Sequence, residues 1–128
     1  MLFRVLIFSL LFLGNVALAE RDVLLRAWNA FMDTYPVIVK PACSEVALPV
    51  GLDVRDAAGA AEGLDALRFL LALPVLGLPG LAVPTTPVDG LPMGVQIVSR
   101  RFREDLCLDA GEIVETHLGR FTPIDPRA

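Results

Sequence analysis

The sequence predicts an α/β chain in which a segment of mixed β-sheet, containing one hairpin, is flanked by helices. Apolar residues between Val23 and Met32 recur with the spacing of one face of a helix. The β-branched residues at 37–39 lie between two prolines and are typical of a short strand near the edge of a sheet. The pair Asp89-Gly90 separates two apolar stretches, and this dipeptide favours the tight turn of a β-hairpin.

Length and composition limit the class of protein. The 128 residues suffice for one domain, and 55% of them are hydrophobic, which excludes a disordered chain. The net charge of −4 makes nucleic acid an unexpected partner, because phosphate backbones attract basic surfaces. With two widely spaced cysteines and one histidine, the sequence offers neither a zinc knuckle nor a disulfide-rich scaffold, and neither a metal nor another cofactor is expected.

Residues 1–19 form an apolar segment ahead of the main domain, residues 20–128. The charge at Arg4, the apolar run that follows it and the small residues of Ala17-Leu18-Ala19 fit a secretory signal peptide cut after Ala19. Two alternatives stay open, namely a buried apolar helix and an upstream stretch read from an artificial start. A signal peptide would make the protein exported or periplasmic, whereas a buried helix would leave it in the cytoplasm.

The elements that follow are predicted from breakers and periodicity. A helix from Glu20 is expected to end near Thr34, because Pro36 disfavours helical angles at the residue before it. Residues 41–63 are predicted to be a long loop with at most a weak helix at 53–62. Residues 64–73 are apolar on nearly all sides and predict a packed helix that Pro74 ends or kinks.

The second half is predicted to hold the hairpin and a final helix. Residues 74–84 are rich in proline and glycine and predict a shaped loop, with hairpin strands at 81–85 and 93–98. Glu104 and Asp105 suit the first turn of the last helix, and Gly119 suits its C-cap. The residues of that helix expected to be buried are Leu106, Ala110, Ile113, Val114 and either His117 or Leu118.

Few side chains offer catalytic chemistry in a recognisable pattern. The serines lie in no GxSxG motif and no Gly/Ser-rich loop. Lys40 follows an apolar strand and precedes Pro41, a position where desolvation could depress its pKa, but it is interpreted as a solvated strand end because no serine partner accompanies it. Cys43 is interpreted as an inert loop thiol, Cys107 as a packing residue, and His117 as a histidine on the inner edge of the last helix.

Charged side chains around the last helix are expected to neutralise one another. The helix carries acidic residues along one face, which predicts a solvated surface rather than a metal site. The three arginines that precede it, Arg100, Arg101 and Arg103, are expected to pair with the acids of the helix itself.

Three stretches resemble the C-terminal part of the amidase signature family. They are residues 74–85 (PVLGLPGLAVPT), residues 89–98 (DGLPMGVQIV) and residues 101–108 (RFREDLCL), in this order and spacing. Residues 19–41 resemble the helix and strand that precede this region in the family, so the likeness covers about residues 17–127. It implies a mixed β-sheet wrapped by helices, in proteins several times longer than this chain.

The resemblance also implies a chemistry. Members hydrolyse carboxylic amides, or transfer ammonia from them, through a serine nucleophile, a bridging serine and a lysine base. Those residues have no counterpart here, since Lys40 stands where the family pattern is apolar or Thr. The chain is therefore expected to be a C-terminal fragment of an amidase, inactive alone. An exported non-catalytic binding or structural module, and one half of a split amidase, are the alternatives.

Five residues match the scaffold of the family rather than its catalytic groups. As the resemblance implies, they form the wall or support of the substrate pocket: Gly77, Pro79, Gly90, Gly94 and Gln96. An amide substrate is expected for the full-length family only. A fragment of a wide sheet leaves strand edges unpaired, so self-association, or pairing with a missing N-terminal half, is expected as well.

Overall fold

Helices and strands follow one another along most of the chain. The computed structural model describes residues 2–119, with side chains from residue 17 onward, and the chain divides after Tyr35 into two compact units. The first unit is helix α1, Leu2–Thr34. The second contains, in chain order, β1 (Val37–Pro41), α2 (Leu52–Arg55), α3 (Ala57–Ala66), α4 (Arg68–Leu76), β2 (Gly80–Val88), β3 (Leu91–Ser99) and α5 (Glu104–Leu118).

Helix α1 ends at Thr34, as the sequence predicts. The Tyr35 N–H still donates to Phe31 O at 3.1 Å and closes the last turn, and Pro36 then prevents helical angles at Tyr35. The rings of Phe31 and Tyr35 stack on this turn with centroids 5.0 Å apart. The helix passes through Ala19 without a break. Over residues 2–119, no helix is at once long and apolar enough to cross a membrane.

The sheet of the second unit is antiparallel and has the strand order β1-β3-β2. The central strand aligns Gln96 with Lys40 of β1 on one side and with Ala82 of β2 on the other. Because side chains alternate across a sheet, these directly opposite residues share one face. The two outer strands, β1 and β2, leave their far edges unpaired among the described strands.

The hairpin between β2 and β3 confirms the predicted turn. Asp89 and Gly90 have φ angles of 51° and 77°, which are the two positive values that a type I′ turn requires. Both strands are longer than predicted, since β2 spans Gly80–Val88 and β3 begins at Leu91. A register shift between Thr85 and Val88 accommodates the irregular, proline-containing end of the hairpin.

The segment between β1 and β2 is more helical than the sequence predicts. Within the predicted loop 41–63, residues 42–51 and Asp56 lack regular structure, because α2 and α3 occupy the second half of this segment. The single helix expected at 64–73 is instead divided between α3 and α4. Pro74 does not end α4, which continues to Leu76 and stops at Gly77, a left-handed residue with φ 65°. A proline removes one backbone donor, and here the following turn still forms.

The hydrophobic core lies between the sheet and α5. Its buried centre is formed by Val83, Ile97 and Cys107, and partly buried residues surround it: Val37, Leu81, Val95, Ala110 and Val114. Gly111 also faces the sheet, and a Cβ there would lie 2.5 Å from Leu81 Cδ2. Helix α5 faces the sheet with Cys107, Ala110, Gly111 and Val114, and Ile113 lies beside this face. Ile113 is therefore 60% exposed, and its predicted burial is wrong. The predicted C-cap is confirmed, because Gly119 N–H donates to Glu115 O at 2.8 Å.

Candidate functional site

The candidate site lies on the face of the sheet opposite the core. Val95 and Ile97 of β3 point to the core, so Gln96 between them points to the other face, where Lys40 is its direct neighbour on β1. Helix α4 borders this face, because a Cβ on Gly80 would lie 2.5 Å from Leu73 Cδ2. Three segments far apart in sequence therefore meet around one glutamine side chain.

Lys40 is held in place rather than solvated. Its ammonium group donates to Gln96 Oε1 at 2.5 Å and to the backbone carbonyl of Phe69 at 2.7 Å. It also lies 5.9 Å from the centroid of the Phe69 ring. Partial burial lowers the pKa of Lys40 below its usual value, because its two hydrogen-bonding partners are neutral and desolvation disfavours the charged form. The interpretation of Lys40 as a solvated strand end is therefore wrong.

Gln96 has a defined orientation because of this contact. The residue is only 9% exposed, and an ammonium group can donate but not accept a hydrogen bond. The amide oxygen must therefore face Lys40, which settles the ambiguity between amide oxygen and nitrogen. The amide nitrogen lies on the β2 side, 3.2 Å from the point that a Cβ on Gly80 would occupy.

The structure brings some of the five predicted scaffold residues together. Gln96 and Gly94 lie two positions apart on β3 and share a face, while Gly77 and Pro79 lead from α4 into the start of β2. Gly94 permits a close strand contact, because a Cβ there would lie 3.1 Å from Val83 O. Gly90 belongs to the hairpin tip, six residues from Gln96 and thus about 20 Å along the strand. The role of all five as a pocket wall stays a prediction.

A cavity of about 320 Å³ adjoins Gly94 in the second unit. It is lined by the loop at 42–48, by Leu67 and by residues 92–94 of β3. Cys43 lies in this lining and its thiol donates to Ala66 O at 3.2 Å. A second, more apolar cavity of about 360 Å³ shares Leu48 and Leu67 with the first and extends along α3.

The remaining titratable candidates have structural contacts. His117 is exposed rather than on the inner edge of α5, and its Nδ1 lies 2.8 Å from Ile113 O. Arg103 pairs with Asp105 at 2.8 Å, which confirms the expected pairing for this arginine. Arg101 instead lies over the Phe102 ring, 5.3 Å from its centroid, and its buried Nε has no hydrogen-bond partner among the described residues. Cys43 and Cys107 are both free thiols, and Cys107 is a core residue as predicted. Over the part of the chain that the structure describes, no group of three or more His, Cys, Asp or Glu could hold a metal ion.

Sequence reasoning missed the two contacts that define the site. Phe69 enters through a backbone carbonyl, which every residue has and which therefore leaves no signal in the sequence. Lys40 and Gln96 are separated by 56 positions, and only the strand register places them opposite each other. Chemically, the arrangement can present a cation and an oriented carboxamide. The two partners of the ammonium group, an amide and a backbone carbonyl, are not nucleophiles.

Comparison with known families and proteins gives a consistent result. The family model described as Amidase matches residues 14–108. An indoleacetamide hydrolase from Bradyrhizobium japonicum is 40% identical over 104 residues, which are 80% of this chain and 22% of that protein. A glutamyl-tRNA(Gln) amidotransferase subunit from Rhodopseudomonas palustris strain TIE-1 is 45% identical over 56 residues, 43% of this chain and 11% of that protein.

A solved structure shares the fold. The crystal structure of a glutamyl-tRNA(Gln) amidotransferase subunit from Thermotoga maritima superimposes with a TM-score of 0.69 at 24% identity, over 83% of this chain and 23% of that one. The chain thus spans about a fifth of the length of the hydrolase and of the solved amidotransferase protein. The family match begins at residue 14, inside the segment 1–19, and it gives no support to a signal peptide there.

Proposed function

The chain belongs to the amidase family, and from this premise we propose that it serves as part of an amide-hydrolysing domain whose attacking groups lie outside its sequence. The reaction of such a domain breaks a carbon–nitrogen bond and converts an amide and water into a carboxylate and ammonia or an amine. The single observation that carries the proposal is the family match over residues 14–108. The share contributed by this chain is the sheet, the hairpin and α5, which support the substrate cleft.

The contacts of its serines support the view that the chain is inactive alone. Nucleophilic serines need an adjacent base that takes the hydroxyl proton. Ser44 donates its hydroxyl to Ala66 O, and the fully buried Ser99 donates to Pro36 O at 2.7 Å. Lys40, the only lysine in the sequence, instead donates to Gln96 and Phe69. The third serine, Ser9, lies outside the residues whose side chains are described.

A segment exchange tests the proposal. Residues 17–119 replace the matching segment of the Bradyrhizobium japonicum hydrolase, and ammonia release from indoleacetamide is measured for this chimera and for the isolated chain. We expect hydrolysis by the chimera and none by the chain alone. A folded chimera without activity would contradict the proposed role. Hydrolysis by the isolated chain that is lost in Lys40→Ala would contradict its inactivity.

Two matched substitutions control for folding of the exchanged segment. Ile97 has no exposed surface, so Ile97→Asp places a charge in the core and is expected to abolish the activity of the chimera. Val50 is fully exposed, so Val50→Asp introduces the same charge with no burial and is expected to leave the activity unchanged. Equal activity of the two variants would mean that the segment does not support the site.

The open sheet edges favour a second candidate, in which the chain is one half of a split amidase. The outer edges of β1 and β2 are unpaired among the described strands, and such edges bind further strands. One relative is, by its name, a subunit of an amidotransferase. Co-expression with the Bradyrhizobium japonicum hydrolase from which the matching segment is deleted should then restore indoleacetamide hydrolysis in trans. A stable complex without activity, or no complex at all, would contradict this candidate.

A further inference from the structure

The contact between Lys40 and Gln96 joins residues that each occur once in the chain. Lys40 is the only lysine and Gln96 the only glutamine. They are register partners across β1 and β3, and the ammonium nitrogen lies 2.5 Å from the amide oxygen. The contact is therefore fixed by the backbone pairing of the sheet and does not depend on the chance meeting of two long surface side chains.

A second acceptor fixes the lysine independently of the glutamine. The backbone carbonyl of Phe69 accepts from the same ammonium group at 2.7 Å, and the Phe69 ring lies beneath it. Arg68, the other cation near this ring, lies 5.2 Å from its centroid and pairs with Asp65. Lys40 thus has a second acceptor on α4, which holds its ammonium group in place in addition to the contact with Gln96.

The chemistry of the two groups allows only one amide orientation. An ammonium group has donors and no acceptor, so rotation of the Gln96 amide by 180° would oppose two sets of donors at a nearly buried position. With the oxygen held by Lys40, the NH₂ group lies towards Gly80 at the start of β2. The absence of a side chain at Gly80 leaves the space that this NH₂ group needs.

We propose that Lys40 is a positioning residue: it orients the Gln96 carboxamide so that the amide NH₂ group faces the start of β2, where it acts as a fixed hydrogen-bond donor of the substrate-cleft wall. The second half of this statement rests on the proposed function, since it requires that this face of the sheet support a substrate cleft. The first half concerns the folded chain alone and is tested without any activity.

The test uses the single lysine and the single glutamine as spectroscopic probes. The full chain is labelled selectively with ¹⁵N-glutamine and ¹³C-lysine, and the Gln96 NH₂ and Lys40 Cε resonances are followed by NMR from pH 7 to pH 12. A solid-state measurement reads the same resonances if the chain associates. We expect one shared titration midpoint. A Gln96 amide that does not respond to the titration of Lys40 would overturn the proposal.

Two variants separate orientation from simple packing. Lys40→Arg keeps a cationic donor and should keep the amide resonance near its original position without titrating. Lys40→Met keeps the length and the apolar stem, and it should shift the amide resonance and abolish its pH dependence. If Lys40→Met fails to fold, the titration of the unmodified chain and the Lys40→Arg spectrum still decide the question. Equal amide spectra for Lys40→Met and the unmodified chain would overturn the proposal.

The activity of the chimera then distinguishes the two parts of the proposal. Lys40→Met should lower kcat/KM for indoleacetamide by about tenfold, the effect of one well-placed hydrogen bond, and Lys40→Arg should restore most of the loss. An inactive chimera with coupled Lys40 and Gln96 resonances would contradict the proposed function and leave the orientation intact. An active chimera unaffected by Lys40→Met would overturn the role of the amide in the cleft.

Discussion

Asp56 lies between α2 and α3 with extended backbone angles, and its carboxylate accepts a hydrogen bond from the Gly59 N–H at 2.6 Å. Acidic residues are favoured at this N-cap position because they satisfy a backbone donor that the first turn leaves free. This hydrogen bond, followed in importance by that from Arg55, lowers the pKa of Asp56 below its usual value of 3.8. One side chain thus starts a helix within the segment that the sequence predicts to be mostly loop.

Replacement of this cap should destabilise the fold in a pH-dependent manner. Because the folded state lowers the pKa of Asp56, the carboxylate contributes stability above pH 3.8, and that contribution is lost as the pH falls through the lower pKa of the folded state. Asp56→Ala should therefore lower the urea midpoint at pH 7 and have less effect near pH 2. Asp56→Asn, which keeps a capping oxygen, is the control. An equal loss at both pH values would contradict the carboxylate explanation.

The two thiols should differ in reactivity. Cys107 is 3% exposed, and burial, with a smaller contribution from Glu104 and Asp105, raises its pKa. Cys43 lies at a cavity and is partly exposed. Because the thiolate is the reactive form, a chromogenic disulfide reagent at pH 8 should label Cys43 at least about tenfold faster. Cys43→Ser should remove the fast phase, whereas loss of that phase in Cys107→Ser would contradict the assignment.

At the scale of the element, α3 shows how glycine sets the distance between neighbouring helices. A Cβ on Gly59 would clash with the backbone carbonyl of Leu52, the first residue of α2. Gly63, one turn later, has free space, since its Cβ would meet only Asp53 Cβ at 3.8 Å. Both glycines are buried in the same helix, so they form a matched pair that differs in backbone contact.

Alanine substitution should have opposite effects at these two positions. Gly63→Ala should stabilise the chain by about 0.5–1 kcal/mol, because alanine is the better helix former and costs less backbone entropy. Gly59→Ala should destabilise it by about 1–3 kcal/mol, because α2 must move away from α3. Urea unfolding followed by circular dichroism measures both. Stabilisation by Gly59→Ala would mean that α2 and α3 are not in the close contact described.

At the scale of the whole molecule, the sheet has two open edges. The outer strands β1 and β2 surround β3, and no further described strand covers their far sides. Pro41 lies in β1 and Pro84 in β2, and a proline lacks the N–H that a pairing strand would use. Val39, in the middle of β1, is 55% exposed. These prolines remove two backbone donors from the outer strands, but the apolar side chain of Val39 on β1 stays exposed.

The isolated chain should therefore self-associate. We expect light scattering after size-exclusion chromatography to show species larger than one chain. Val39→Arg places a charge on the β1 edge and should shift the distribution towards the monomer, because charged edge residues oppose strand pairing. Val50→Arg, on an exposed loop residue, is the control and should not shift it. A monodisperse monomer with a cooperative thermal transition would contradict the prediction.

Local features of the sequence determined several elements without help from the rest of the chain. Pro36 fixes the end of α1, Asp89-Gly90 forms the hairpin turn and Gly119 caps α5, because each depends on the backbone angles of a few adjacent residues. The motifs of residues 74–108 were enough to predict the family, which the match to residues 14–108 confirms.

Only the tertiary structure decided which residues meet. The sequence assigned Ile113 to the core, but α5 packs on the sheet through the face that carries Cys107 and Gly111, which leaves Ile113 exposed. It assigned Lys40 to solvent, but the register of β1 on β3 placed the ammonium group against Gln96 and the Phe69 carbonyl. Turns and caps are set by neighbouring residues, whereas burial and hydrogen-bond partners depend on strands and helices brought together from positions tens of residues apart.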